Sequence, residues 1–228
     1  MKRKIITTSD GSNTIHIEDW DEQYHSKHGA IQEANHVFIK NGLHYLCHSE
    51  RSEKSFLRIS ILEIGFGTGL NAFITYLEAE KLKLKIDYVG VEAYPVLQEE
   101  ISELNYADLI SKKDKTIFKR LHQISWEEKY KFHNHFSLIK RKQFFQDIQD
   151  QEQYNLIYFD AFGAKVQPEL WTESIFQKMF NALKPEGVLV TYAAKGSVRR
   201  AMQSVGFIVE RLEGPPGKRE MLRACKEA

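Results

Sequence analysis

Three glycines recur at every second position in residues 61–71, ILEIGFGTGLN: Gly65, Gly67 and Gly69. Glycine reaches backbone conformations closed to other residues and lets a ligand approach the main chain. Between an apolar strand and a helix, such a loop can hold an adenosyl group at the carboxyl edge of a sheet. Spacing excludes two other cradles. A dinucleotide loop needs its third glycine at position 70, which is Leu70; a phosphate loop needs Gly-Lys-Ser/Thr, and Thr68 is followed by Gly69 and Leu70. Glu63 precedes the loop. A pyrophosphate disfavours an acid there, whereas a cationic ligand tolerates or gains from one. With no ligand, the same string is a tight strand-to-helix turn.

Further acids follow in an informative order. Glu92 ends the next apolar run, YVGVEA, where a carboxylate can accept hydrogen bonds from both hydroxyls of a ribose. Asp147 follows QFFQ and could accept an adenine amino group, with Asp150 as a competitor in QDIQDQE. Asp160 closes the apolar run YNLIYFD. It is followed by Phe162, then Pro168 and Trp171. A carboxylate can accept a hydrogen bond from an amine while an aromatic face beside it stacks on a base. Packing under the loop is the competing role for Phe162 and more so for Trp171. His44, Cys47 and His48 have one-turn spacing, but no HExxH string accompanies them, so we expect no metal site.

The elements that must position these residues read as an α/β fold. From Arg58 onward, apolar strands alternate with helical patterns: RISILEIGF, LNAFITYLEAEKL, KIDYVGVEA, then a helix PVLQEEISELN opened by Pro95. The polar stretch 106–135 reads as mixed helix and loop, and FSLIKRKQFFQDI as one or two strands. YNLIYFDAF is a strand, PELWTESIFQKMFNAL a helix, LKPEG a turn, GVLVTYAA a strand and SVRRAMQSVG a helix. FIVERLEG and KREMLRACK flank PPG as a closing hairpin. The alternation predicts a Rossmann-like parallel sheet with helices on both faces and an antiparallel C-terminal hairpin. Residues 1–57 read as a β/α appendage packed on a core domain of 58–228: a hairpin around DGS, then a helix AIQEANHVFIKNGL ended by Asn-Gly.

Composition narrows the partners. The 228 residues are 42% hydrophobic, enough for a substantial core, and the net charge of +1 excludes a uniformly basic nucleic-acid coat. Cys47 and Cys225 form no CxxC pair. No apolar run reaches the roughly 18 residues of a membrane span, so a cytoplasmic protein with no membrane partner is expected.

ExGxGxG after the first strand is the pattern of class I S-adenosylmethionine methyltransferases, whose cofactor brings a sulfonium and an ammonium. More specifically, the chain resembles the tRNA 5-methylaminomethyl-2-thiouridine methyltransferases, which occur alone and as the N-terminal half of a bifunctional enzyme. TSDGSNT, DEQYHSKHGAIQEANHVFIKNGL, ILEIGFGTGLN, YFDAFGAKVQPELWT and VRRAMQSVGFIVERLEGPPGKREML carry the resemblance, over nearly the whole chain. One departure is Ala164, where the family commonly has proline after its DxFx string; Pro168 is kept.

The resemblance implies methylation of a 5-aminomethyl group on the wobble (2-thio)uridine in a tRNA anticodon stem-loop. It implies S-adenosylmethionine held by Glu63, Gly65, Gly67, Gly69, Asn71, Glu92, Asp147 and Asp160, with Tyr24 and its neighbour His25 closing over it. Asp160 would orient the amine and Phe162 flank the uridine; Trp171 and Lys165 would also meet substrate. Lys195, Arg199, Arg200, Lys218 and Arg219 are candidates for phosphate contacts, with Lys140, Arg141 and Lys142 as a second cluster. The bifunctional relatives also carry a flavin-dependent oxidase domain; the chain leaves no room for it, so no flavin is expected. Two other readings stand beside this one: a polyamine aminopropyltransferase, and a non-catalytic RNA-binding module.

Overall fold

The computed structural model describes residues 2–48 and 58–227. The expected boundary at 57 lies outside the described residues. β1 (Arg3–Thr7), β2 (Asn13–Ile17) and β3 (Glu22–Gln23) form a small antiparallel sheet in that order. The hairpin expected around DGS is present, paired from Arg3↔Ile17 to Thr7↔Asn13. Its turn residue Asp10 has a second task. Oδ1 accepts from the Ser12 amide and hydroxyl and the Thr8 hydroxyl. Oδ2 accepts the Ile31 and Gln32 amides at 3.0 and 3.1 Å. These amides are among the unpaired donors at the start of the next helix, so a carboxylate there caps it and favours its dipole.

That helix differs from expectation. α1 (Ala30–Ala34) runs into a π-helical segment (Asn35–His44) and then α2 (Tyr45–His48). Asn41-Gly42 does not end it. The Asn41 side chain donates to the His36 carbonyl five residues back at 2.8 Å, which suits the wider π winding. Gly42 serves close approach: a Cβ there would lie 3.0 Å from Val190 and 3.3 Å from Tyr158 in the main sheet.

The remaining elements are β4 (Arg58–Ile64), α3 (Leu70–Leu82), β5 (Lys85–Glu92), α4 (Gln98–Ser102), α5 (Tyr106–Ile110), α6 (Lys115–Gln123), β6 (Tyr130–His133), β7 (Phe136–Lys142), β8 (Tyr154–Phe159), α7 (Glu173–Ala182), β9 (Leu183–Thr191), α8 (Gly196–Ser204), β10 (Ile208–Glu213) and β11 (Glu220–Cys225). The eight-stranded sheet has the order β10-β11-β9-β8-β4-β5-β7-β6. β9, β8, β4, β5 and β7 pair in parallel; β6 and the hairpin β10–β11 add antiparallel edges.

Three local readings change. Helix α4 starts at Gln98, beyond Pro95, and the Glu100 carboxylate accepts the Leu97 amide at 2.8 Å. The polar stretch 106–135 includes a strand, β6. The expected turn LKPEG is absorbed into β9, whose register against β8 shifts between Tyr154 and Leu156.

Alternation along β4 divides the core. Ile61 packs with the helical run 30–48, α3 and α6 on one face; Leu62 and Ile64 pack with α7 and α8 on the other. Burying each such side chain contributes about 1.5–3 kcal/mol. Val37, Phe38 and Leu43 share the first cluster with Tyr158 and Val190, so the N-terminal helical run is a layer of the same core. The sheet also sets the site. β4 is flanked by β5 and β8, and the chain reaches them by connections running in opposite directions. The carboxyl ends of β4 and β8 therefore border the crevice where ligands bind in open α/β sheets.

Candidate active site

Gly65, Gly67 and Gly69 follow β4 with φ of 91°, 47° and 69°. Gly65 is the most constrained. Its amide and that of Phe66 both donate to the Val91 carbonyl, and a Cβ would lie 2.7 Å from the Asp160 carbonyl oxygen. The loop is thus stitched to β5 and pressed against the end of β8, and only glycine fits. It forms one wall of a cavity of about 500 Å³.

Three acids lie at the strand ends. Glu63 is fully buried; Asn71, at the start of α3, donates one amide hydrogen to Glu63 Oε1 and one to Asp160 Oδ2, both at 2.9 Å. Burial pushes the Glu63 carboxyl well above the usual range, and the nearby Asp160 adds to this. Asp160 lines the cavity and is pushed up to about 7, by burial first and by Glu33 second, against the opposing effects of Asn71 and Lys218. Glu92 accepts the Gly67 amide on one oxygen and the Tyr94 amide on the other, each at 3.0 Å. The carboxylate also lines the cavity, where it can accept from a hydroxyl.

Phe162 is held by aromatic edges: the Tyr24 ring centroid lies 4.9 Å away and that of Trp20 5.5 Å away. Trp171 is not at the cavity wall. It is buried against Phe159, and its indole donates to the Phe162 carbonyl at 2.7 Å. It therefore fixes the loop that carries Phe162, where the sequence suggested substrate contact.

The segment 17–25 roofs the cavity. His25 Nε2 lies 2.7 Å from the Thr68 hydroxyl in the glycine loop, and burial pushes its imidazole down to about 4, so the ring is neutral. Behind it, buried Glu33 accepts the Ser26 amide at 2.9 Å and Lys218 Nζ at 2.6 Å. The Lys218 ammonium also sits 3.6 Å from the Tyr192 ring centroid, and the Tyr192 hydroxyl donates to the Ala161 carbonyl at 2.8 Å. Lys218, a phosphate candidate by sequence, is thus a tie between the N-terminal helix and the turn of the closing hairpin.

Other candidates divide. Asp147 is exposed and outside the cavity lining, although its neighbours Phe145 and Gln146 line it. Lys140 is 1% exposed and donates to the His122 carbonyl, Arg141 pairs with Asp150, and only Lys142 of that cluster is exposed. Lys165, Lys195, Arg200 and Arg219 are exposed; Arg199 is half-buried. Sequence reasoning missed Trp20, Glu22 and Tyr192 in the lining. Trp20 directly precedes the DEQYHS string and Glu22 lies within it, so both had a signal; Tyr192, at the end of β9, had none. Among the described residues, no group of three His, Cys, Asp or Glu is placed to hold a metal ion, and His44 pairs with Glu78 at 2.8 Å. The His48 side chain, part of the metal reading, lies outside what is described. No helix among the described residues is long and apolar enough to cross a membrane.

A family model described as S-adenosyl-L-methionine-dependent methyltransferase matches residues 106–227. A tRNA 5-methylaminomethyl-2-thiouridine biosynthesis bifunctional protein MnmC from Leptospira interrogans is 29% identical over 213 residues, covering 90% of this chain and 32% of that protein. The protein of that name from Actinobacillus pleuropneumoniae is 27% identical over 231 residues, 92% of this chain and 33% of its own length. The chain thus spans about a third of the length of these curated relatives. The crystal structure of MNMC2 from Aquifex aeolicus shares the fold, with a TM-score of 0.78 at 24% identity over all of this chain and 71% of that one.

The residues present fit the cofactor. Gly65 and Gly67 bare their backbone to the cavity, with Gly69 outside its lining against His122; Glu92 is at the wall for a ribose, and Asp160 offers a carboxylate to a cationic end. The glycine cradle, the acids at the strand ends and the match over more than half its length together place the chain in the family of S-adenosyl-L-methionine-dependent methyltransferases.

Proposed function

We propose that the protein methylates the nitrogen of a 5-aminomethyl group on the wobble (2-thio)uridine of tRNA, giving 5-methylaminomethyl-(2-thio)uridine. One observation carries it: Asp160 and the clamped Phe162 stand two residues apart at the floor of an acid-walled cavity. The names of the curated relatives supply the substrate class.

S-adenosylmethionine supplies an electrophilic methyl group when bound. The rest falls to the chain. An alkylamine has a pKa of about 10 and is mostly protonated at neutral pH, with no lone pair for attack. A carboxylate poised near 7 is suited to accept a proton close to working pH. Asp160 would take or relay the proton of the ammonium through the oxygen that Asn71 leaves free. Glu22, also at the cavity wall, adds negative charge that attracts the cationic substrate. Phe162, braced by Trp20 and Tyr24, would present a face to a uridine turned out of the anticodon stack. The roof 17–25 would exclude water and hold the near-attack geometry. Lys165, Lys195, Arg200 and Arg219 are free to meet phosphates; Lys218 is committed to Glu33.

The test is methyl transfer from labelled S-adenosylmethionine to tRNA carrying 5-aminomethyluridine, with Asp160→Ala alongside. Label in the wobble nucleoside, reduced about 10²-fold or more in the variant, is the expected result. No label, despite cofactor binding, defeats the tRNA reading. Polyamines run as substrates in the same assay, with intact and decarboxylated cofactor, decide the small-amine transferase alternative.

A further inference from the structure

Glu63 poses a problem that the mechanism does not use. It is fully buried, and among the described residues no cation pairs with it. Among the described residues its Oε1 has one donor, the Asn71 amide, and Oε2 has no hydrogen-bond partner. That same amide holds Asp160 at equal distance, 2.9 Å, so two carboxyl groups from adjacent strands share one NH2. The Tyr88 hydroxyl on β5 also faces Glu63, outside hydrogen-bond geometry and likewise unpartnered.

Two anions that close repel strongly, and a buried carboxylate with few donors lacks its hydration. The cheap arrangement keeps one of them neutral. The surroundings choose which. Asp160 opens to the cavity and has Lys218 among its charged neighbours, besides Glu33. Glu63 is sealed, and among the described residues its charged or titratable neighbours are Asp160, Glu92, Tyr88 and Tyr158, none of them a cation. A neutral carboxyl can also give its O–H to the Tyr88 oxygen after a small side-chain shift, which would supply Oε2 with a partner.

We propose that Glu63 works as a protonated carboxylic acid, held by Asn71, and that Asp160 is the ionised partner of the pair, the one that meets the positive charge of the cofactor. Asn71 is then a positioning residue. With both N–H groups donated, it fixes Asp160 Oδ2 and leaves Oδ1 to the cavity. The acid that the sequence pattern offers as a counter-ion is a neutral hydrogen-bonding group instead. This inference concerns the free protein and its cofactor and does not rest on the tRNA reading.

The test compares Glu63→Gln with Asp160→Asn by calorimetric titration with S-adenosylmethionine, and reads the acid directly by infrared spectroscopy of the free wild-type protein. Gln copies a neutral Glu, so affinity in Glu63→Gln should stay within about threefold of wild type, while Asp160→Asn loses about tenfold or more. At about pH 8.5, where Asp160 is mostly ionised, the wild type should show a protonated-carboxyl stretch that shifts on labelling with [13C]glutamate and is missing from Glu63→Gln. A tenfold loss of affinity in Glu63→Gln, or a wild-type spectrum without that band, overturns the proposal. Should Glu63→Gln fail to fold, a labelled wild-type spectrum without that band still overturns the proposal. The Asn71→Ala variant supplies a second readout: the pH profile of cofactor affinity, set by Asp160, should move toward higher pH as its donor is lost, whereas a purely structural role would leave that profile in place.

Discussion

The cavity has two walls built by different means. The floor, from Gly65 to Asn71 with Glu92 and Asp160, is backbone held by neighbouring strands: the Gly65 and Phe66 amides on Val91, the Asp160 amide on the Ile64 carbonyl. The roof, residues 17–25, is held by side chains far apart in sequence: His25 on Thr68, Glu33 on Lys218, Trp20 and Tyr24 on Phe162. A backbone-built floor tolerates few substitutions but reads from a short string. A side-chain-built roof spreads its attachment over many small contacts, none of which announces itself locally.

The largest effect should come from the floor. Gly65→Ala places a Cβ 2.7 Å from the Asp160 carbonyl at a φ of 91°; we expect about 3 kcal/mol of destabilisation and loss of cofactor binding, read by denaturant unfolding and calorimetry. If the variant binds normally, the floor is not backbone-limited. The roof should yield less per residue. Glu33→Ala leaves the Ser26 amide and Lys218 without their acceptor and should cost about 1–3 kcal/mol. Its effect on cofactor affinity should exceed that of Lys218→Met, since Ser26 leads directly into His25. Asp10→Ala removes the cap on the Ile31 and Gln32 amides and should cost about 1 kcal/mol, with the α1 amides exchanging faster by hydrogen-exchange measurement. Trp171→Phe keeps the packing but drops the bond to the Phe162 carbonyl. About 1 kcal/mol is expected, with a larger fall in kcat than in stability if Phe162 acts on the substrate.

A pH experiment sharpens the same contrast. The Asp160 carboxyl is raised from 3.8 to about 7, so the folded protein binds this proton more tightly than the unfolded chain. Its contribution to stability is complete below about pH 4 and is lost as pH rises through about 7. Asp160→Asn should therefore flatten that decline and melt a few degrees above wild type at pH 8, while losing activity. His25 works in the other sense. Its imidazole is lowered to about 4, so protonation opposes folding and the roof weakens as pH falls below the ordinary histidine range. A melting temperature for His25→Gln with the same acid dependence as wild type would remove His25 from that account.

Much of the fold was legible because strands buried on both faces leave continuous apolar runs and helices leave periodic ones. RISILEI, KIDYVGVE and YNLIYF all stand where the sequence puts them, and so does the closing hairpin. Readings failed where a local signal served a tertiary purpose. Asn41-Gly42 looks like a helix stop, but Gly42 lets the helix lie against β8 and β9. Lys140 looks like part of a solvated basic run, yet it is a buried side chain bonded to the His122 carbonyl. Lys-Pro-Glu-Gly looks like a turn and is an irregular start to β9.

What the sequence determined by itself is the backbone-dictated half of the site. Glycine at 65, 67 and 69, and acids that end apolar strands, are requirements of local conformation and strand direction, and these are written in short contiguous strings. What only the tertiary structure decided is which charges meet. It joined Glu63 and Asp160 through one amide, spent Lys218 on Glu33, buried Trp171 behind Phe162, and brought Tyr192 and Trp20 to the cavity. The reason is physical: electrostatic and packing energies depend on distance and burial across the folded chain, and neither is fixed by neighbours in sequence.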